Sequence, residues 1–265
     1  MGRRGTSISR ACRIVNLPRS KYYKKESLKR EERQRAIEAL LVDWSAKFPH
    51  YGFWKLYHRL KAKNYGWNHK LVYKLYCRLK LNLRKRPKRK KLKRERSPLA
   101  VPIYLNDTWS MDFLSDSFGD GRKFRVFSLM DHCSRQALAI EADTSIPSER
   151  VIRILNRTIQ DRGKPCKIRV DNGPEFISKK LSGWAAKQKI KLVFIQPGKP
   201  TQNGFIERLN GTIRREVLDR FWFTTLKEAR EQLWEWSIEY NRHRPHSGIG
   251  HQVPDNFARS RSVAV

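Results

Sequence analysis

Cysteine is scarce in this chain of 265 residues, and its four copies are far apart. They lie at Cys12, Cys77, Cys133 and Cys166, with no C-x-x-C pair and no matching pair of histidines. This spacing argues against a zinc site and against a disulfide framework. It fits a protein of a reducing cell interior, where thiols stay unpaired.

Long apolar stretches and a secretory signal are also missing. A membrane-spanning helix needs ~20 consecutive apolar residues, and no run in the chain approaches that length. Arg3, Arg4, Arg10 and Arg13 interrupt the segment where a signal peptide would need an apolar stretch. We therefore expect a cytoplasmic protein without a membrane partner.

Acidic residues are few relative to basic ones, and the imbalance lies mainly at one end. The first 100 residues contain 31 Lys and Arg against 6 Asp and Glu, a net charge of +25. The remaining 165 contain 27 against 19, a net charge of +8. The excess spans several helical patterns rather than one amphipathic helix, so it favours nucleic acid over a membrane surface as the partner.

The first 83 residues show helical patterns separated by turns. Residues 9–15 and 19–23 predict two short helices around a Leu17-Pro18 turn, so 1–30 is either a helix-turn-helix-like segment or a plain helical hairpin. In 31–83, apolar stripes predict three further helices, and Asn68 is a suitable N-cap for the last one. We expect a helical DNA-binding domain, with a small bundle and a solvated charged face as the alternative. The exposed basic residues of its last helix include Lys70, Lys74 and Arg78.

A basic run follows this helical region. Residues 84–96 contain ten Lys and Arg, with one Glu, one Pro and one Leu. Such a block repels itself, so 84–98 is predicted to be an extended linker that lies on the phosphate backbone of DNA. Its candidate DNA contacts include Arg84, Lys85 and Arg86.

Beyond Pro98 the pattern changes to that of an α/β domain. Three strands in a meander, within 108–140, are followed by alternating helices and strands, among them one helix over 175–187. In the first strand, Trp109, Met111 and Phe113 alternate onto one face, with Asp112 on the other. This order predicts a mixed five-stranded sheet flanked by helices over 99–240, and a tail over 241–265.

Three acidic residues stand out in this domain. Asp112 lies in the middle of the first strand, and Asp171 ends a strand expected to pair beside it. Glu207 lies at the edge of the apolar stripe of a later helix, and Arg214 returns to nearly the same side. Carboxylates that meet repel one another unless a cation intervenes, which predicts two Mg²⁺ or Mn²⁺ ions and in-line transfer at a phosphodiester. The alternative is separate roles: Asp112 capping a turn, Asp171 in an Asx turn, and Glu207 paired with Arg214.

The loop before the Glu207 helix is a further candidate. Residues 197–200 read Pro-Gly-Lys-Pro and predict a rigid, exposed loop. Lys199 and Asn203 lie near the start of the helix, where backbone N–H groups can meet a phosphate. Ordinary helix capping is the alternative.

Three motifs together resemble the DDE transposase and retroviral integrase superfamily. They are Trp-Ser-Met-Asp-Phe at 109–113, Val-Asp-Asn-Gly-Pro-Glu-Phe at 170–176 and Gln-Asn-Gly-Phe-Ile-Glu-Arg-Leu-Asn-Gly at 202–211. Thirty-five residues separate Asp171 from Glu207, and a basic residue follows seven positions later. The chain most resembles the OrfB-type transposases of the IS-three class of bacterial insertion sequences.

This resemblance implies a ribonuclease H-like core in which Asp112, Asp171 and Glu207 bind metal and Arg214 contacts DNA ends. It implies DNA cleavage with water and strand transfer with a 3′ hydroxyl, by a nucleoid-associated bacterial protein. The implied partners are element ends, target DNA and at least one further copy of the chain. In this class an upstream reading frame often supplies a helix-turn-helix and a leucine zipper, which makes a protein from such a frame a further expected partner.

Two other functions stay open at this point. One is a nuclease of the same fold that does not join ends. The other is a DNA-binding regulator, or an incomplete transposase subunit, that competes for the element ends.

Overall fold

The structure is a computed structural model that describes residues 7–22, 28–84, 102–196 and 203–262. Its contacts divide the chain into two compact units, Met1–Tyr57 with Gly66–Leu83 and His58–Tyr65 with Arg84–Val265. No helix among the described residues is long and apolar enough to cross a membrane. The predicted domain boundaries stay predictions.

Polar N-cap residues start two of the amino-terminal helices. Ser7 accepts a hydrogen bond from the backbone N–H of Arg10 at the start of the first helix, and Asn68 accepts one from Lys70 at 2.8 Å, as its N-cap role predicts. The helices are α1 (Ile8–Ile14), α2 (Arg19–Tyr22), α3 (Leu28–Lys47), α4 (Phe53–Ala62) and α5 (His69–Arg78). The buried apolar residues of α3 and α5 are Ile37, Leu41, Trp44, Val72, Leu75 and Tyr76.

Five strands form one mixed sheet in the second unit, as the sequence predicts. They are β1 (Thr108–Ser117), β2 (Lys123–Asp131), β3 (Ala137–Asp143), β4 (Lys167–Val170) and β5 (Lys191–Phe194). The order is β3-β2-β1-β4-β5. The pairs β1–β2 and β2–β3 are antiparallel, whereas β1–β4 and β4–β5 are parallel. Strand β1 is therefore central, with a parallel neighbour on one side only.

Helices cover both faces of this sheet. They are α6 (Ser148–Arg162), α7 (Pro174–Ile177), α8 (Lys179–Lys187), α9 (Gly204–Ile213), α10 (Leu226–Arg242) and α11 (Pro254–Ser262). A π-helical turn, Arg214–Leu218, continues α9. Trp109 and Met111 of β1 pack into one apolar core with α6 and α8, whereas Leu114 packs into a second core with α9 and α10. The strand alternation predicted for β1 is thus confirmed, with Asp112 on the α9 face.

One predicted helix is interrupted. We expected residues 175–187 to be continuous, but the structure separates α7 from α8 at Ser178. Ser178 has an extended backbone with ψ 138°, and its hydroxyl accepts a hydrogen bond from the backbone N–H of Leu181. A serine that caps the second helix in this way ends the first one.

Candidate active site

Strand register places Asp112 and Asp171 side by side. Ser110 of β1 is paired with Arg169 of β4 in the parallel ladder. Asp112 and Asp171 each follow two positions further along, and neighbouring strands lie about 4.8 Å apart. The two carboxylates are therefore attached to adjacent points of the backbone at the carboxyl end of β4.

Asp112 is held in a half-buried position by two hydrogen bonds. Its Oδ1 accepts from the backbone N–H of Phe113, and its Oδ2 accepts from the side-chain amide of Asn210, both at 2.8 Å. Burial is the largest cause that raises the pKa of Asp112 to about 6, and the negative charges of Asp171 and Glu207 add to it. The two hydrogen bonds act in the opposite direction. The charges of both other acids thus reach Asp112.

Asp171 lies in a tight turn after β4. Its Oδ1 accepts a hydrogen bond from the backbone N–H of Gly173 at 3.0 Å, so the Asx turn considered as an alternative is present. A Cβ at Gly173 would lie 3.0 Å from that same oxygen, which favours glycine there. The amide of Asn172 donates to the carbonyl of Ile195 at 3.1 Å and joins the ends of β4 and β5. The turn holds the carboxylate at the strand end.

Glu207 lies exposed in the first turn of α9, beside the buried stripe that the sequence predicts. Arg214 does not pair with it in the structure. The guanidinium of Arg214 donates to the carbonyl of Ser115 at 2.6 Å and lies 3.8 Å from Asp219. Glu207 therefore does not form an ion pair with Arg214. Arg214 is instead hydrogen-bonded to the backbone of β1 near the end of that strand. The buried stripe comprises Ile206, Leu209, Ile213 and Val217.

Two residues of this site were missed from the sequence. Ser128 donates a hydrogen bond to Oδ1 of Asn210 at 2.6 Å and lies 3.2 Å from the carbonyl oxygen of Asp112. Asn210 follows Glu207 by three positions, a spacing that places both on one side of a helix and was an available signal. Ser128 is directly opposite Asp112 in the β1–β2 ladder, which only the register reveals.

Many other acids of this unit are neutralised by a base. Among the described residues, no ion pair includes Asp112, Asp171 or Glu207. Repulsion between the three carboxylates is therefore not offset by a direct ion pair. The pairs formed by other acids of this unit are Glu175 with Arg125, Glu141 with Arg150 and Arg157, and Asp107 with Lys167.

The donor chemistry of the three carboxylates fits a divalent cation, although the side chains do not converge on one point. The described part of the chain holds no group of three or more His, Cys, Asp or Glu side chains arranged around a metal position. Charge acts over several ångströms, whereas coordination requires oxygens about 2.0–2.6 Å from the ion. Asp112 and Asp171 instead accept hydrogen bonds from Phe113, Gly173 and Asn210. Three carboxylates, two of whose charges raise the pKa of Asp112, nonetheless supply the hard oxygen donors that Mg²⁺ or Mn²⁺ prefers.

The predicted DNA contacts differ in their surroundings. Lys70 and Lys74 are exposed on α5, and Arg84 is exposed after it. Arg78 forms an ion pair with Glu38 of α3, so its charge is partly offset.

Four further candidates lie at the edge of, or outside, the residues that the structure describes. Asn203 is only 3% exposed at the start of α9, so the structure does not present it on the surface. Lys199, Lys85 and Arg86 lie outside the described residues. Their contacts with DNA stay predictions.

Comparison with known proteins bears on the whole chain. Two models of the integrase core domain match residues 105–200 and 188–254. An uncharacterized 31.7 kDa protein of insertion element IS407 from Burkholderia multivorans is 37% identical over 252 residues, 95% of this chain and 90% of the relative. An uncharacterized 39.2 kDa protein of insertion element IS476 from Xanthomonas euvesicatoria is 36% identical over 95% of this chain and 72% of the relative. The transposase InsD of insertion element IS2 from Escherichia coli is 25% identical over 74% of this chain and 67% of the relative.

A solved structure shares the fold. A chain of the simian T-cell lymphotropic virus intasome, solved with the PP2A regulatory subunit B56 gamma, has a TM-score of 0.53 and 17% identity. The match covers 82% of this chain and 74% of that chain. This likeness confirms the ribonuclease H-like fold predicted from the sequence.

Proposed function

The chain belongs to the insertion-sequence transposases with a retroviral integrase-type catalytic core, and we propose that Asp112, Asp171 and Glu207 carry its polynucleotidyl-transfer chemistry. The observation that supports this proposal is that β1, β4 and α9 bring three acids close enough for the charges of two to act on the third, although their side chains do not meet at one point. Adjacent parallel strands bring Asp112 and Asp171 together, and the charge of Glu207 on α9 raises the pKa of Asp112.

The three carboxylates would hold Mg²⁺ or Mn²⁺, with two ions as the expected number. When bound, such ions activate an attacking oxygen and stabilise the leaving 3′ oxygen of a phosphodiester. Asn210 keeps Oδ2 of Asp112 in place while Ser128 holds Asn210. These residues orient the carboxylate without taking part in bond making, so they are positioning residues.

Basic side chains of the protein bind the DNA. Arg214, fixed to the carbonyl of Ser115 three residues after Asp112, contacts the DNA end next to the reacting phosphate. Lys70 and Lys74 bind the phosphate backbone of the element end. In the proposed reaction, water attacks a phosphodiester and breaks its P–O3′ bond, which frees a 3′ hydroxyl and leaves a 5′ phosphate. That hydroxyl then attacks a phosphodiester of target DNA, forms the new P–O3′ bond and releases a 3′ hydroxyl of the target strand. Joining two ends requires at least a second copy of the chain; a partner from an upstream reading frame stays a prediction.

Oligonucleotides that carry an element end test this proposal. We expect Asp112→Asn, Asp171→Asn and Glu207→Gln each to abolish Mg²⁺-dependent cleavage and joining while DNA affinity is retained. Asp116→Asn is the matched control, because Asp116 lies on the same strand and accepts a hydrogen bond from the next backbone N–H as Asp112 does. Full activity in any variant of the three would overturn the assignment of that residue.

The same assay separates the other functions. Cleavage without joined products indicates a nuclease. Tight, salt-sensitive binding without any Mg²⁺-dependent product indicates a DNA-binding regulator.

A further inference from the structure

A large aromatic side chain, that of Trp222, is exposed at the end of the sheet where the turn between β1 and β2 lies. Trp222 is 82% exposed and Phe221 is 40% exposed, whereas the next residue, Phe223, is 3% exposed. These residues follow the π-helical turn that continues α9. Isolated apolar residues are common on protein surfaces, so exposure alone does not identify a binding site.

The indole of Trp222 lies against the turn between β1 and β2, and the backbone beside it is anchored to the core. The backbone N–H of Gly119, in the turn between β1 and β2, donates to the carbonyl of Phe223 at 2.9 Å. The ring of Phe223 packs edge-on against Phe124 in the core, with centroids 6.0 Å apart. A Cβ on Gly119 would lie 2.4 Å from Nε1 of Trp222, so the indole rests against a glycine that leaves it room. Anchoring of the neighbouring backbone lowers the entropy cost when the exposed ring binds a partner.

Basic residues lie close to Trp222 in the chain and in the turn that its indole contacts. Arg122 and Lys123 are exposed in the β1–β2 turn and at the start of β2, and the guanidinium of Arg220 lies 5.4 Å from the ring of Phe221. Arg122 is paired with the nearby acid Asp120 at 2.7 Å, so its charge is partly offset, and Lys123 and Arg220 supply the remaining positive charge. We call the group of Gly119, Arg122, Lys123, Arg220, Phe221 and Trp222 the Trp222 surface. Its charge complements a polyanion, and its rings complement nucleobases.

We propose that the Trp222 surface binds the DNA strand that leads away from the reacting phosphate, with the indole stacked on an unpaired base. Aromatic stacking combined with a basic groove is how proteins hold single strands without reading their sequence. The proposal rests on the proposed function, since it takes Asp112 as the reacting end of the DNA path.

Strand β1 sets the distance between the two places. Gly119 lies seven positions after Asp112, which is about 23 Å at about 3.3 Å per strand residue. Consecutive phosphates of one DNA strand advance about 3.4 Å along the helix axis. The stacked base therefore lies within about seven nucleotides of the reacting phosphate. Arg214, attached to Ser115 between them, marks the path.

Fluorescence-labelled DNA with a seven-nucleotide single-stranded flank tests the surface. All binding is measured in Asp112→Asn protein, so that the substrate is not consumed. We expect Trp222→Ala to weaken binding about tenfold, and Trp222→Phe to retain most of the affinity because it keeps a ring. Trp234→Ala is the matched control, because Trp234 is 64% exposed on α10 and is not part of the Trp222 surface. We expect its loss to leave DNA affinity unchanged.

Salt dependence distinguishes stacking from charge. Trp222→Ala leaves the slope of log affinity against log salt unchanged, whereas Lys123→Ala lowers it by about one. A fluorescent 2-aminopurine base placed at successive flank positions reports stacking within about seven nucleotides of the cleaved phosphate.

Three results would overturn the proposal. They are unchanged affinity of the folded Trp222→Ala protein, an equal loss in Trp222→Ala and Trp234→Ala, and a loss of self-association in sedimentation with unchanged DNA affinity. The last result would make the surface an interface between copies of the chain. Strand transfer that survives Asp112→Asn would instead refute the proposed function, so the two failures are distinguishable.

Discussion

Replacing Asn210 with alanine removes the amide that donates to Oδ2 of Asp112 at 2.8 Å. The other oxygen keeps its bond from the backbone of Phe113, so the carboxylate stays in the site but gains rotational freedom. A hydrogen bond to a charged group contributes about 1.5–3 kcal/mol, which corresponds to about a 10- to 150-fold change in the fraction of correctly placed carboxylate. We expect strand-transfer turnover to fall by that factor, with DNA affinity unchanged.

Ser128→Ala provides the companion measurement. Ser128 bonds the Asn210 amide oxygen at 2.6 Å, a neutral contact that contributes about 1 kcal/mol and therefore about fivefold in turnover. Because Ser128 acts through Asn210, the double variant should lose less than the two single losses combined.

Single-turnover strand transfer with saturating DNA measures these changes, and thermal unfolding monitors the folded fraction. The reasoning is wrong if Asn210→Ala retains wild-type turnover while folded. It is also wrong if the two substitutions act independently, or if the whole effect is a loss of DNA affinity.

Three further predictions concern binding and stability. Lys74→Ala should reduce the salt dependence of DNA binding by about one charge, and Arg78→Ala by less, because Arg78 is already paired with Glu38; titrations at several salt concentrations compare the two. Burial and nearby cations lower the pKa of His132 to about 3, so the unfolded chain alone takes up this proton as pH falls below 6.5 and stability is lost. Between pH 6.5 and pH 5 the wild-type protein should lose about 2 kcal/mol of unfolding free energy through this group, and His132→Gln should abolish that loss in chemical denaturation. An unchanged pH dependence in the variant would contradict this prediction. Ser178→Ala removes the cap of α8 and should cost about 1 kcal/mol of unfolding free energy, whereas an unchanged melting temperature would show that the α7–α8 break does not depend on it.

The sheet was predictable because its signals are local. Alternation indicates β1, and short apolar runs indicate β4 before Asp171 and β5. Each of these signals lies within a few consecutive residues. The fold class followed from their order. The break at Ser178 was missed because a serine within a helical pattern competes with the helix only when its hydroxyl finds a backbone N–H. Whether the Ser178 hydroxyl finds such an N–H depends on how the segment packs against the sheet.

The site was only partly predictable. Spacing and strand ends indicated Asp112, Asp171 and Glu207, but Ser128 meets Asp112 only through the antiparallel register. The partner of Arg214 was also beyond the sequence. Helical geometry placed it on the side of Glu207, whereas a π-helical turn begins there and the guanidinium bonds to Ser115.

Counting bound Mn²⁺ by electron paramagnetic resonance tests most directly whether three carboxylates form one cation site. The account predicts two Mn²⁺ per chain in the wild-type protein with DNA, and the loss of at least one in Asp112→Asn, Asp171→Asn and Glu207→Gln. Asp116→Asn should bind as the wild type does. Wild-type Mn²⁺ binding in all three triad variants would contradict the account.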